Sequence, residues 1–121
     1  MVSVLLAFLI QAAWPVDRLE NGWTRRGLAS NGESLLFTKA GPRPNMIWTR
    51  QEFRVPEAQT QAVSVVNLIE VDCQGRRSRN VQSTDYLGPN TSGRSNSWGE
   101  QPWRYPLPGT LGDAVLKYAC E

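Results

Sequence analysis

Residues 62–73 read Ala62-Val63-Ser64-Val65-Val66-Asn67-Leu68-Ile69-Glu70-Val71-Asp72-Cys73, and their alternation decides the fold. Val63, Val65, Ile69, Val71 and Cys73 share one face at period two, interrupted only by Asn67. That is the pattern of a β-strand with one face in a core. Glu70 and Asp72 fall on the opposite face, so the carboxylates look outward while Cys73 points inward with the valines. Gln74-Gly75 supplies a turn, and Arg77–Leu87 reads as the antiparallel neighbour, polar at its start and carrying Val81, Tyr86 and Leu87 further on. A partner for the Cys73 sulfur has to come from an element packed on the core face.

Upstream, Asn21-Gly22 and Asn31-Gly32 offer the positive φ of tight turns and frame short strands at 23–28 and 34–39. The second is ended by Gly41-Pro42-Arg43-Pro44. Between 46 and 55 the period is again two, with Ile47, Thr49, Gln51, Phe53 and Val55 on one side and Met46, Trp48, Arg50, Glu52 and Arg54 on the other. The pattern leaves open which side is buried, because Trp48 heads the charged one. Downstream, residues 88–97 hold no apolar side chain and predict a mobile loop. Trp98–Leu107 is Trp- and Pro-rich and extended. Thr110 then caps a helix, Asp113 favours its amino end, and Leu111, Ala114, Val115, Tyr118 and Ala119 form one apolar stripe that ends at Cys120. The fold class is α+β, an antiparallel sheet covered by a C-terminal helix.

The whole chain is 121 residues, 40% hydrophobic and 20% charged, which is one globular core and not a disordered tail. Thirteen basic against eleven acidic residues leave a net charge of +2, too small a surplus to announce a nucleic-acid partner. Residues 2–10 are apolar and Gln11-Ala12-Ala13 follow with small residues. This predicts a signal peptide over 1–13, a mature domain over 14–121, and export to the periplasm or the outer cell surface. The competing reading of that run is a buried first strand. It is too short to cross ~30 Å of hydrocarbon, so no transmembrane segment is expected in the mature chain. In an oxidising compartment two cysteines allow one connectivity, Cys73 to Cys120, tying the helix to the sheet. Such a loop constrains the unfolded chain by about 4 kcal/mol. The alternative is a pair of free thiols in a cytosolic or redox setting, though the spacing is not Cys-x-x-Cys.

The chemistry-bearing inventory is short. With no histidine and two cysteines, the commonest general base is missing and no thiolate-zinc cluster can be completed. No metal, cofactor or catalytic residue is expected. The carboxylate pairs Glu70/Asp72 and Glu52/Glu57 show nothing that would drive their pKa values apart, and no serine has a base beside it. The chain reads as a non-enzyme. A possible binding surface comprises Arg76, Arg77, Arg79, Arg94, Trp98 and Arg104, since guanidinium forks suit anions and aromatics beside cations suit recognition. Arg77 and Arg79 share a strand face that Arg76 does not, and Glu70 and Asp72 are placed to pair with them across the hairpin. Trp103 is expected to cover the core and Trp98 to be exposed. Nothing in the residues sets an oligomeric state.

The string Ile69-Glu70-Val71-Asp72-Cys73-x-x-Arg76-Arg77-x-Arg79, followed by Trp103-x-x-Pro106-x-Pro108-Gly109-Thr110 and a helix ending in Cys120, resembles the bacterial surface-adhesin protein E-like family. The resemblance is carried by order and spacing and is densest from residue 62 onward. It implies a small exported domain in which a disulfide holds a C-terminal helix on an antiparallel sheet. It also implies a protein or extracellular-matrix ligand. Two other functions fit the residues: a periplasmic structural or accessory protein without a host ligand, and an anion or polysaccharide binder using the surface arginines.

Overall fold

The computed structural model describes residues 22–29 and 32–121. The signal-peptide expectation over 1–13, and Asn21 and Asn31 of the two turns, lie outside the described residues. Six strands follow one another: β1 (Thr24–Ala29), β2 (Ser34–Ala40), β3 (Met46–Phe53), β4 (Ser64–Asp72), β5 (Arg77–Gly88) and β6 (Ser92–Trp98). They form one sheet in sequence order, every neighbouring pair antiparallel. Helix α1 (Leu111–Cys120) comes last.

Short connections enforce the meander. Between β2 and β3 the Gly41 N–H donates to the Met46 carbonyl at 3.1 Å and the Met46 N–H to the Arg43 carbonyl at 3.0 Å. Between β4 and β5 the Asp72 carboxylate accepts the Gly75 N–H at 2.9 Å. The expected mobile loop at 88–97 is corrected here, because Ser92–Trp98 is strand β6. Its side chains are all exposed, so it needs no apolar alternation. The backbone of β5 holds it, from Ser83↔Trp98 to Gly88↔Ser92, and polar side chains are what an edge strand carries.

Both faces of the sheet are buried in part. On one face Leu36, Ile47 and Val115 form a core cluster against which Ile69, Leu111, Tyr118 and Ala119 pack. The α1 stripe therefore lies on the face that the odd-numbered residues of 62–73 share. Thr110 caps the helix by accepting the Asp113 N–H at 3.3 Å. In β1 a register shift releases Arg26, which donates to Thr38 at 2.8 Å and stacks 4.5 Å over the Tyr118 ring.

On the opposite face Leu35, Phe37 and Leu68 are buried together with Arg50 and Glu52. The question left by Trp48 is thus resolved as both sides of β3. The Arg50–Glu52 ion pair is 2.7 Å long, with side chains 7% and 1% exposed. A buried pair needs its remaining hydrogen bonds met, and the β5–β6 connection meets them. The Asn90 N–H donates to Glu52 at 2.9 Å, and Arg50 donates to the Asn90 side-chain carbonyl. Beside them the Thr91 N–H donates to the Ser64 hydroxyl at 3.0 Å.

Cys73 and Cys120 form a disulfide with Cα atoms 5.8 Å apart. Cys73 does not point into the core, as the alternation suggested. The strand ends at Asp72, and both cysteines are exposed. The staple closes the rim of the helix–sheet layer from outside.

Candidate functional site

β5 is twelve residues long and finds partners for both halves from one returning segment. Its second half pairs with β6. Its first half pairs with residues 101–104, where Ser78 and Arg104 exchange N–H···O bonds of 2.9 and 2.8 Å and the Gln101 N–H donates to the Asn80 carbonyl at 2.8 Å. Between the halves the register shifts, because Leu68 pairs with Gln82 and Ile69 with Asn80, leaving Val81 over. A bulge interrupts a ladder and re-aims side chains. A pocket of about 400 Å³ opens at this bulge, lined by Arg79, Asn80, Ser83, Asp85, Trp98 and Arg104 among others.

The register extends the pocket into a trough. Thr49, Asn67, Ser83 and Trp98 are successive cross-strand partners on β3, β4, β5 and β6. A second pocket of about 430 Å³ lies between this row and the Tyr105–Leu107 strap that leads into α1, and it shares Asn80 and Arg104 with the first. Trp98 is 45% exposed and Tyr105 70%. On the floor the Ser83 hydroxyl donates to the Asn67 carbonyl oxygen and accepts from the Asn80 amide nitrogen at 3.1 Å. With one hydroxyl proton, Ser83 donates to one amide and accepts from the other. Among the described residues the Asn67 nitrogen and the Asn80 side-chain oxygen then have no partner. Burial, and secondarily the Glu57 charge, push the Asp85 carboxyl above the usual carboxylate range.

The sequence-predicted residues are divided among four places. Trp98 and Arg104 meet at the bulge pocket. Arg77 and Arg79 stand on the opposite face of β5, where Arg77 pairs with Asp72 at 2.9 Å and Arg79 with Glu70 at 2.7 Å and also with Glu100, although Arg79 lines the bulge pocket as well. Their guanidinium carbons are 4.5 and 4.8 Å from the centroid of the half-buried Trp103 ring. Arg76 stands in the β4–β5 turn at φ 53°, and its charge is the weakest of the influences that lower the Asp113 pKa. Arg94 is exposed on β6. No helix among the described residues is long and apolar enough to cross a membrane.

The description of surface-adhesin protein E matches residues 32–121, from β2 through the disulfide-bonded helix. The chain belongs to the surface-adhesin protein E family. No curated protein and no solved structure matches it. Membership gives this adhesin E domain a surface-adhesin character, while the trough residues come from its own geometry. Asn67, Asn80, Ser83 and Asp85 are what sequence reasoning missed. One signal pointed there: Asn67 is the single polar break in the apolar face of 62–73. Ser83 and Asp85 carried none, because the bulge at Val81 changes which β5 residues share that face.

Proposed function

We propose that the mature domain is a non-enzymatic exported binding module that holds a protein or extracellular-matrix ligand at the cell envelope. Its contact surface is the trough between Trp98 and Arg104. Membership in the adhesin E family supports the binding role. The observation that carries the choice of surface is the meeting of an exposed Trp98 and an exposed Arg104 at one pocket. Arg77 and Arg79, the densest part of the basic group, are each already neutralised by a carboxylate. That speaks against an anion site built on them. The Cys73–Cys120 bond supports export, since such bonds persist in oxidising compartments. The absence of histidine and the engagement of Glu52, Glu70 and Asp72 in ion pairs support a non-catalytic role.

The test is binding of the purified, disulfide-bonded domain to immobilised matrix proteins. Trp98→Ala and Arg104→Ala are each expected to weaken binding about tenfold or more, the range of a recognition anchor, while Arg43→Ala leaves it unchanged. Full binding by both trough variants would refute the surface. No binding by the wild type, together with an envelope defect on deletion, would favour the accessory-protein function instead.

A further inference from the structure

We infer that the trough takes a neutral oligosaccharide. The inference rests on the reading of the trough as the contact surface and names its ligand chemistry. The floor is made of groups that complement hydroxyls. A sugar hydroxyl both donates and accepts, and vicinal hydroxyls present the two functions side by side. The relay through Ser83 leaves a free donor on Asn67 and a free acceptor on Asn80, and Arg104 adds donors where Asp85 adds acceptors. Because the relay already fixes both amides, binding does not have to order them, which removes a common entropic cost.

Aromatic placement suits the other half of a pyranose. Its ring C–H bonds carry the positive edge that an aromatic face attracts. Trp98 stands at the β6 end of the row and Tyr105 on the strap side, both exposed. The two pockets, each about 400 Å³ and joined at Asn80 and Arg104, are each in the small-ligand range. Together their volume has room for more than one sugar ring.

Charge favours a neutral chain. The trough holds one anionic group, Asp85, against one cation, Arg104, while Arg79, the second cation at the pocket, is held by Glu70 and Glu100. A peptide added to the sheet would use the backbone edge of β6 and leave the amide row idle.

The experiment titrates the full domain with neutral tetra- to hexasaccharides of glucose and of N-acetylglucosamine, followed by calorimetry and amide chemical shifts. Saturable binding is expected, with shifts at Asn67, Asn80 and Ser83. It should change less than twofold between low and high salt, because no net charge is neutralised. Asn67→Ala and Trp98→Ala should each lose about tenfold or more at unchanged Tm, while Arg43→Ala should not. In parallel, a matrix glycoprotein is presented before and after enzymatic removal of its glycans. Loss of binding on deglycosylation supports the inference. Trough-dependent binding that survives deglycosylation overturns it but leaves the surface standing. Binding confined to sulfated chains and abolished by salt overturns it as well.

Discussion

Arg50 and Glu52 sit two residues apart on β3 as a closed ion pair under the Asn90 backbone. Removing one partner strands a charge where water does not reach. Glu52→Ala is therefore expected to cost about 3–5 kcal/mol, read as a lower urea midpoint with little change in slope. Replacing both residues by methionine should recover most of that loss. Titration separates two other carboxylates by sign. The Gly109 N–H first and Lys117 second hold the Asp113 carboxyl below its usual range. Its stabilisation is complete above the unfolded pKa, near 4, and is lost as pH falls through the folded value. Asp113→Asn should thus be less stable than wild type at pH 7, with the gap closing on acidification. Asp85 is raised chiefly by burial, so its charged form opposes folding. Asp85→Asn should be more stable at pH 7, and that gap should also close on acidification. Thermal melts across pH 3–7 check both, and equal gaps at all pH values would contradict the assignment. The ion pairs of Glu70 and Asp72 were legible from alternation. The buried pair on β3 was not, because charged residues normally mark the solvent face.

Among the elements, the β2–β3 connection has no room for a side chain at Gly41. A Cβ on Gly41 would lie 2.7 Å from the Met46 carbonyl carbon. Gly41→Ala should destabilise by about 1–3 kcal/mol, the range for overpacking a tight site, as measured by chemical denaturation. Helix α1 is capped by the Thr110 hydroxyl on one side and by Asp113, which accepts the Gly109 N–H at 3.1 Å, on the other. Thr110→Ala should cost ~1 kcal/mol. Every strand with an apolar alternation was readable, and the helix was marked by its cap, stripe and terminal cysteine. β6 was invisible for a physical reason. An edge strand with exposed side chains is specified by its neighbour's backbone, and Ser-Gly-Arg-Ser-Asn-Ser-Trp carries no record of that neighbour.

For the molecule as a whole, the disulfide joins the last residue of the helix to the residue after β4, 47 positions apart. Reduction, or Cys120→Ser, is expected to lower stability by about 4 kcal/mol, since a loop of that length regains its unfolded freedom. The α1 amides should lose hydrogen-exchange protection before those of β2–β4. Retention of full Tm under reductant would contradict the role given to the staple. Periodicity, turn residues and the pairing of two lone cysteines determined strands β1–β5, the covering helix and the covalent tie, because each is written in local spacing along the chain. Tertiary structure alone decided that Cys73 lies at the rim, that β3 buries a charged pair, and that Asn67, Asn80 and Ser83 line one trough beside Trp98. Those outcomes depend on a one-residue bulge and on a segment folding back from residue 92 to 104. Neither leaves a mark in composition, since contacts between distant residues are set by register and not by the identity of any one of them.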